Sequence, residues 1–468
     1  MVNKTETIAA ISTAMNSSGI GIVRISGDDA IDIISRIFRP ANASKKMTEV
    51  KSHTVHYGHI VDGDSVVDEV LVIIMKAPHT YTREDTVEID CHGGMYVLNR
   101  VLELVIRSGA RTAEPGEFTK RAFVNGRIDL SQAEAVIDVI NAENDYALKS
   151  AVTQLRGSVS EKIKSQRAIL LEQIAYIEAA LDDPEHIEME GYGEQLLPIV
   201  QEAGIYIKSL IDTADDGRII KEGIRTVILG KPNVGKSSLL NALLGTDRAI
   251  VTEIAGTTRD ALEENIRLGD ITLNVIDTAG IRNTEDIIEK IGVDKARDYA
   301  EEADLILWMI DGSRNLDSDD EEILNIIKNK KVIILLNKQD IGGSMDREAL
   351  LENLSRQYKY ECKLPIIEIS AKNESGLDKF TETVRHMFYN KDINFNDQVY
   401  ITNMRQKEAL SDAYGSIQKA IESIKMDMPE DFYTIDLMDA YTSLGRVIGE
   451  AIEDDLADEI FAKFCMGK

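Results

Sequence analysis

Hydrophobic residues in the first part of the chain fall in short β-like runs that Gly-rich turns separate. These runs cover residues 21–27, 70–75 and 87–90, and a helical repeat from Val97 to Val105 follows a double glycine. Short strands bounded by glycine, together with a helix, are typical of a small α+β domain. We therefore predict an α+β domain over residues 1–118.

From Ser131 to Leu181 the apolar residues recur every three or four positions, which is the period of an amphipathic helix. Ser131-Gln132-Ala133-Glu134 has the form of a capping box at its start. Asp183-Pro184 predicts its end, because proline cannot continue the hydrogen-bond ladder. Gly157 is the only weak point in the run, so we predict one very long helix or two nearly collinear ones. A second helix is predicted from Leu196 to Ala214.

Near-continuous apolar runs alternate with helical stretches between Gly223 and Lys379. The runs cover residues 226–229, 273–276, 305–310, 332–336 and 366–369. Such runs are typical of a parallel sheet that helices cover on both faces. Helical spacing returns afterwards, at residues 410–424 and 437–452. We therefore predict a multidomain α+β and α/β protein in which an α/β domain, residues 222–380, is inserted into a helical domain formed by residues 119–221 and 381–468.

A phosphate-binding motif follows the first apolar run of the α/β domain. Its sequence is Gly230-Lys231-Pro232-Asn233-Val234-Gly235-Lys236-Ser237, and a helical pattern follows it. Strand, Gly-rich loop and helix in that order are the context of a P-loop, in which backbone N–H groups surround phosphates. We expect Lys236 to reach the terminal phosphates and the Ser237 hydroxyl to ligate Mg²⁺. The predicted nucleotide contacts of the loop are Asn233, Val234, Gly235, Lys236, Ser237 and Ser238.

Four further segments, each near a strand end, complete a guanine-nucleotide site. Thr258 can complete the Mg²⁺ shell, and Asp277 can hold Mg²⁺ through water. The Asp340 carboxylate can accept from guanine N1–H and the exocyclic amine, a donor pair that adenine lacks, so GTP is favoured over ATP. The predicted contacts are Thr252, Glu253, Ile254, Ala255, Gly256, Thr257, Thr258, Asp277, Thr278, Ala279, Gly280, Asn337, Lys338, Asp340, Ser370 and Ala371. The sequence therefore predicts a GTPase.

The residues alone leave two interpretations of the catalytic group. Ile281 stands where Ras-type GTPases carry a water-orienting glutamine, and no arginine finger is evident in the chain. Glu289, in an acidic stretch a few residues later, is a candidate. The alternative interpretation of Glu289 is a solvated acid on a helix face.

Beyond these motifs, the chain resembles the MnmE (TrmE) family of tRNA uridine-modification GTPases from Thr7 to Lys468. The resemblance rests on residues 23–27, 114–119, 121–123 and 255–260 and on the final Phe464-Cys465-Met466-Gly467-Lys468. It implies a folate-binding and dimerising N-terminal domain, a helical domain, and an inserted Ras-like P-loop G domain with a mostly parallel sheet.

The resemblance also implies an activity. The protein would form a homodimer and a heterotetramer with the flavin- and NADH-using protein MnmG (GidA), which alone would hold the FAD and NADH. Together they would add an aminomethyl or carboxymethylaminomethyl group to C5 of the wobble uridine of certain tRNAs. The one-carbon unit would come from 5-formyl- or 5,10-methylene-tetrahydrofolate.

Individual residues are implied by the same resemblance. Folate contacts fall on Arg24, Glu88, Arg127 and Lys468, and an activating K⁺ falls on Asn233, Thr252, Ile254 and Thr257. Glu289 falls on the water-orienting glutamate of the family. Cys465 either places its thiol beside the folate or is a buried small hydrophobe.

Composition and charge narrow the remaining alternatives. With 53 basic and 81 acidic residues the net charge is −28, so indiscriminate binding of nucleic acid through bulk charge is not expected. The N-terminus lacks a secretory pattern, no apolar run reaches the length of a membrane span, and the 3 cysteines fit no disulfide or zinc pattern, so a cytoplasmic protein is expected. The rival interpretation is an Era- or EngA-like assembly switch, but the basic RNA-binding domain with a Gly-x-x-Gly loop that such factors carry is not evident here.

Overall fold

The computed structural model describes residues 6–183, 185–186, 189–245, 264–276, 293–327, 330–342, 345–358, 363–389, 399–450, 460–462, 464 and 467. The chain divides into two compact units. The first unit comprises residues 1–137, 154–208 and 408–468, and the second comprises residues 138–153 and 209–407. The four-segment domain division given above remains a prediction. No helix among the described residues is both long enough and apolar enough to cross a bilayer.

A mixed sheet forms the N-terminal part of the first unit. Its strands are β1 Ile8–Ile11, β2 Gly21–Ser26, β3 Phe38–Pro40, β4 Thr54–Asp62, β5 Ser65–Met75, β6 Thr86–Cys91 and β7 Arg111–Thr112. The strand order is β3-β4-β5-β6-β2-β1-β7, and each pair is antiparallel except β1 with β7. Helices α1 Ala30–Ile37 and α2 Met95–Arg107 share an apolar core with this sheet. The predicted α+β domain is confirmed.

Helices make up the rest of the first unit and continue into the second. They are α3 Glu117–Val124, α4 Leu130–Ile140, α5 Asp145–Leu155, α6 Ser158–Asp182, α7 Tyr192–Asp212, α8 Ala214–Glu222, α9 Lys236–Gly245, α10 Val293–Glu302, α11 Ser318–Ile326, α12 Arg347–Tyr358, α13 Leu377–Tyr389, α14 Met404–Lys425 and α15 Glu430–Ile448. Arg167 on α6 stacks over the ring of Tyr441 on α15, with its guanidinium carbon 4.1 Å from the ring centroid.

The prediction of one long helix from Ser131, or of two nearly collinear ones, is wrong, because three helices, α4, α5 and α6, occupy the segment. The first break lies before Asn144, whose Oδ1 accepts from the N–H of Ala147 and so starts a new helix at Asp145. The second lies at Gly157, which has a φ of 95°. The capping box is also displaced: Asp129 Oδ1 accepts from Gln132 N–H at 3.0 Å, and Gln132 Oε1 accepts from Asp129 N–H at 3.1 Å. The predicted end of the segment is confirmed at Asp182.

The second unit contains a six-stranded sheet. Its strands are β8 Ile224–Leu229, β9 Glu264–Leu268, β10 Ile271–Val275, β11 Leu305–Asp311, β12 Val332–Asn337 and β13 Ile366–Glu368. The order is β13-β12-β11-β8-β10-β9, and each neighbouring pair is parallel except β9 with β10. Every residue of β11 is buried, and alternate residues face two different apolar clusters. The predicted α/β domain with a mostly parallel, doubly covered sheet is therefore confirmed.

Candidate functional site

The loop between β8 and α9 has the tight backbone that phosphate binding requires. Gly230 and Gly235 have φ values of 153° and 103°, which side-chain-bearing residues rarely adopt. A Cβ on Gly230 would lie 2.5 Å from the carbonyl oxygen of Met309, and one on Gly235 would overlap the Asn337 side-chain nitrogen. Glycine is therefore required at both positions for the loop to close against β11 and β12.

Lys236 begins α9 and turns its ammonium group back into this loop. Its Nζ donates to the carbonyl oxygens of Gly230 and, at 3.1 Å, of Lys231. Burial lowers the pKa of Lys236, since the charged form is removed from water. Among the described residues its contacts are neutral carbonyls rather than carboxylates, so the terminal phosphates of a nucleotide would supply the missing negative charge. The site thus fits a phosphate group.

Asn337, at the end of β12, joins the phosphate loop to the segment around Ser370. Its Nδ2 donates to the Val234 carbonyl at 2.8 Å, and its Oδ1 accepts from the Ala371 N–H at 3.0 Å. Asn337 is 3% exposed, so both bonds are shielded from water. The two ends of the nucleotide site are therefore fixed by a single side chain.

Asp340 is placed to recognise a base. Its Oδ1 accepts from the Ser370 hydroxyl at 2.7 Å, and this bond holds the pKa of Asp340 below its ordinary value. The Ser370 hydroxyl oxygen in turn accepts from the Asn373 N–H at 3.2 Å. An ionised carboxylate here can accept from the two neighbouring N–H donors of guanine.

Lys338 has a φ of 67°, and its Nζ lies 2.7 Å from Asp311 Oδ2. Asp311 ends β11, so this ion pair ties the base-recognition segment to the neighbouring strand. The sequence analysis did not predict a role for Asp311. Its position could have indicated one, because Asp311 ends a buried strand at the edge of the sheet where the P-loop lies.

Lys231, the second residue of the P-loop, is held by three carboxylates. It pairs with Asp317, with Asp319 at 3.3 Å and with Asp320 at 3.4 Å. The side chain of Asp320 is 1% exposed and that of Asp319 is 73% exposed. Sequence reasoning missed this cluster, because Asp320 lies in an acidic run in which no residue stands out.

Several predicted nucleotide and catalytic residues lie outside the described residues, and their roles remain predictions. They are Thr252, Glu253, Ile254, Ala255, Gly256, Thr257, Thr258, Asp277, Thr278, Ala279, Gly280, Glu289 and Cys465. Of the residues predicted to hold Mg²⁺, Ser237 is among the described residues, and it lies in the first turn of α9.

A second group of predicted site residues meets in the first unit. Arg24 on β2 stands opposite Glu88 on β6; its Nε donates to Glu88 Oε1 at 2.8 Å, and its Nη2 lies 2.7 Å from the same oxygen. Arg24 Nη1 also donates to the Gly467 carbonyl at 3.3 Å, and Ser12 donates to that carbonyl at 3.1 Å. The structure thus brings Arg24 and Glu88 together beside the residue that precedes Lys468, which itself lies outside the described residues.

Arg127 lies over an aromatic ring. Its guanidinium carbon is 4.7 Å from the ring centroid of Tyr81, whose hydroxyl shares a 2.9 Å hydrogen bond with Thr119. Burial raises the pKa of Tyr81, so the phenol is neutral at physiological pH. Arg127 therefore stacks on Tyr81 and takes no part in the Arg24–Glu88 ion pair.

The adjacent side chains of Cys91 and His92 have different hydrogen-bond partners. The Cys91 thiol is buried and donates to the Gly21 carbonyl at 3.4 Å, and burial raises its pKa to about 12. The exposed His92 ring instead lies 2.7 Å from Asp68 Oδ1. The described residues also include no group of three or more metal-ligating side chains placed to hold an ion.

A P-loop at the end of β8, an asparagine that links it to the base-recognition segments and an ionised Asp340 together define a guanine-nucleotide-binding P-loop protein. Two family models match the chain: the GTP-binding protein TrmE N-terminus over residues 7–127 and the MnmE helical domain over residues 130–465. The tRNA modification GTPase MnmE of Lachnoclostridium phytofermentans is 55% identical over 465 residues, covering 99% of this chain and 100% of the relative. The protein of the same description from Alkaliphilus metalliredigens is 47% identical, covering 99% of each. The chain belongs to the MnmE family of tRNA modification GTPases, and it is a GTP hydrolase.

Two solved structures are similar to part of the chain. Era in complex with MgGDPNP and nucleotides of 16S ribosomal RNA is 32% identical, with a TM-score of 0.28, covering 41% of this chain and 66% of that chain. The G domain of the T. maritima FeoB iron transporter is 29% identical, with a TM-score of 0.26, covering 36% of this chain and 98% of that chain.

Proposed function

We propose that this GTPase, together with an MnmG-type flavoprotein, forms the aminomethyl or carboxymethylaminomethyl group at C5 of the wobble uridine of certain tRNAs. The observation that carries the proposal is the 55% identity to a tRNA modification GTPase over 99% of the chain, which includes both compact units. The flavin and NADH belong to the partner, and the protein acts as a homodimer within a cytoplasmic heterotetramer.

The one-carbon donor in this proposal is a 5-formyl- or 5,10-methylene-tetrahydrofolate bound in the first unit. A pterin presents neighbouring N–H donors, for which a carboxylate is a suitable partner. Both bonds from Arg24 go to Glu88 Oε1, which orients the carboxylate and leaves Oε2 to accept from the pterin. Lys468 would add positive charge beside Gly467, and Cys465 would lie near the same pocket.

In the second unit we propose that Ser237 and Thr258 hold Mg²⁺ and that K⁺ occupies the position of an arginine finger. Asn233 has a φ of 61° in the phosphate loop. The remaining K⁺ ligands would come from Thr252, Ile254 and Thr257, and Glu289 would orient the attacking water. A cation near the bridging oxygens stabilises the charge that develops during phosphoryl transfer.

Reconstitution tests this function. The purified protein is mixed with its cognate MnmG-type flavoprotein, NADH, unmodified tRNA, GTP, K⁺ and tetrahydrofolate labelled in the one-carbon group. Label should enter the wobble uridine only when GTP can be hydrolysed, and a Lys236→Ala protein should transfer none. Transfer of label at an equal rate without GTP would refute a role for hydrolysis, and no transfer with all components present would refute the assigned reaction.

A further inference from the structure

A cavity of about 430 Å³ opens beside Arg127 in the first unit. The residues that line it include His53, His79, Thr80, Tyr81, Arg83 and Arg127. None of its lining residues is acidic, although the chain as a whole carries a net charge of −28. A basic concavity on so acidic a protein favours an anionic ligand.

The walls of this cavity are fixed by bonds between two loops. Arg83 Nη1 donates to the Asn125 carbonyl at 2.8 Å, and Asn125 Nδ2 donates to the Thr82 carbonyl at 2.6 Å. Arg83 has a φ of 60°, a strained conformation that residues with side chains adopt mainly where surrounding contacts impose it, often at binding sites. The bonds hold the Arg83 loop against the loop that carries Arg127.

Both guanidinium groups keep donors available for a ligand. Arg127 stacks on the Tyr81 ring, and Arg83 uses one nitrogen for the Asn125 carbonyl. Among the described residues, neither forms an ion pair with a carboxylate. Two arginines that line one cavity without acidic partners among the described residues suit a ligand with more than one carboxylate, because each arginine can bind a carboxylate in a bidentate manner.

A continuous series of contacts leads from the Arg24–Glu88 pair to this cavity. The Arg24 guanidinium carbon is 5.7 Å from the ring centroid of Phe118. Tyr81 packs against the apolar cluster that contains Phe118, and Arg127 covers the Tyr81 ring. Phe118 is buried, so the ring that faces the cavity is that of Tyr81. The order is therefore a carboxylate with its arginine, then the Tyr81 ring, then two arginines that have no carboxylate partner among the described residues.

A folate has the matching order of groups: a pterin with N–H donors, a benzoyl ring and a glutamate. Cellular folates also carry further glutamates in γ-linkage, and each one adds a carboxylate. Resting on the folate binding proposed above, we propose that this cavity binds the oligo-γ-glutamate tail, with Arg83 and Arg127 as its main contacts. The protein then selects polyglutamylated folate over the monoglutamate.

Calorimetry on the full-length protein tests the selection with 5-formyltetrahydrofolate as the monoglutamate and as the triglutamate. Because the two arginines are exposed and their ion pairs are screened by solvent, we expect the triglutamate to bind roughly five- to tenfold tighter. Arg83→Gln should remove most of this gain and leave the monoglutamate affinity within about twofold of wild type. Arg83→Lys should keep a substantial part of the gain. Arg39→Gln, the same change at an exposed arginine elsewhere in the unit, should keep all of it.

Four results would overturn the proposal, and they differ in meaning. Equal affinity of wild type for both folates would show that the tail lies elsewhere while folate binding stands. An equal loss of both affinities in Arg83→Gln would assign Arg83 to the common part of the folate or to loop structure. A protein that binds neither folate would remove the folate assignment itself. Weaker tRNA binding by Arg83→Gln with unchanged folate affinities would identify the cavity as a phosphate site and also contradict the proposal.

Discussion

Asn337 donates a 2.8 Å hydrogen bond from its side chain to the main-chain carbonyl of Val234, so a residue of the base-recognition segment holds the phosphate loop directly. The close approach is possible because Gly235 has no Cβ; one placed there would overlap the Asn337 nitrogen. The same side chain accepts a hydrogen bond from the N–H of Ala371, the residue that follows Ser370. Base recognition and phosphate binding are therefore coupled through Asn337.

Asn337→Ala should weaken GTP binding by at least about tenfold. The substitution leaves the buried Val234 carbonyl and Ala371 N–H without partners, at a cost of about 1–3 kcal/mol each. Titration with a fluorescent GTP analogue measures the loss, and Asn315→Ala, at an exposed position nearby, is the matched control. Affinity of the Asn337 variant equal to that of the control would show that the bond does not support the site.

Asp320 and Asp319 both pair with Lys231 but differ in burial, so substitutions of the two can be compared directly. Both carboxylates lie within 3.4 Å of the Lys231 ammonium, but only Asp320 is buried. An exposed ion pair contributes little, whereas a buried charge that loses its partner is strongly destabilised. Asp320→Asn should therefore speed GTP dissociation by roughly five- to tenfold, and Asp319→Asn by less than about twofold. Stopped-flow dissociation rates that change equally in the two variants would show that the burial of Asp320 does not matter for the P-loop.

Much of the fold follows from the pattern of apolar residues. The strands of the second unit are nearly continuous apolar runs because helices cover both faces of the sheet, and each predicted run lies on an observed strand. The P-loop was also evident, since its glycines and Lys236 stand at fixed spacings after a strand. Local sequence thus determined these features.

Other features depend on contacts between distant residues. The period of three to four predicted a helix through residues 141–144, but there the Asn144 side chain begins a new helix instead. Likewise, Asp320 is one acid in an acidic run until the fold places Lys231 beside it, and Arg24 is an ordinary strand residue until the sheet register places it opposite Glu88. Strand register and burial determine which residues form these sites, and neither can be read from a single sequence.

GTP hydrolysis by the purified protein should be faster in K⁺ than in Na⁺ at matched ionic strength. In the proposed site the cation replaces an arginine finger and must fit a cage that includes Asn233. Asn233→Ala should then hydrolyse GTP at similar rates in the two salts. Wild-type rates that do not distinguish K⁺ from Na⁺ would refute the K⁺ assignment.

The acid sensitivity of the first unit should depend on Glu117, which is 7% exposed. Burial favours its neutral form, but hydrogen bonds from Arg111 and Arg121 outweigh burial and lower the pKa of Glu117 to about 2. Because the folded pKa lies below the ordinary value of 4.5, the stabilisation is complete above that value and is lost as the pH falls toward 2.

Glu117→Gln should therefore lower the free energy of unfolding by about 3 kcal/mol at neutral pH and by less than about half of that near pH 3. Urea denaturation at the two pH values measures the difference. Glu114→Gln, an exposed neighbour, should have little effect at either pH. If Glu117→Gln lowers the free energy of unfolding by the same amount at both pH values, the ion pairs of Glu117 are not the cause of the loss.

Mass analysis of nucleosides tests most directly whether this GTPase acts in tRNA wobble-uridine modification. Total tRNA is digested from cells that lack the protein and from the same cells supplied with wild-type or Lys236→Ala protein. We predict that C5-aminomethyl and carboxymethylaminomethyl uridines disappear without the protein and return with wild type but not with Lys236→Ala. Unchanged levels of these nucleosides in the cells that lack the protein would contradict a role for the protein in wobble-uridine modification.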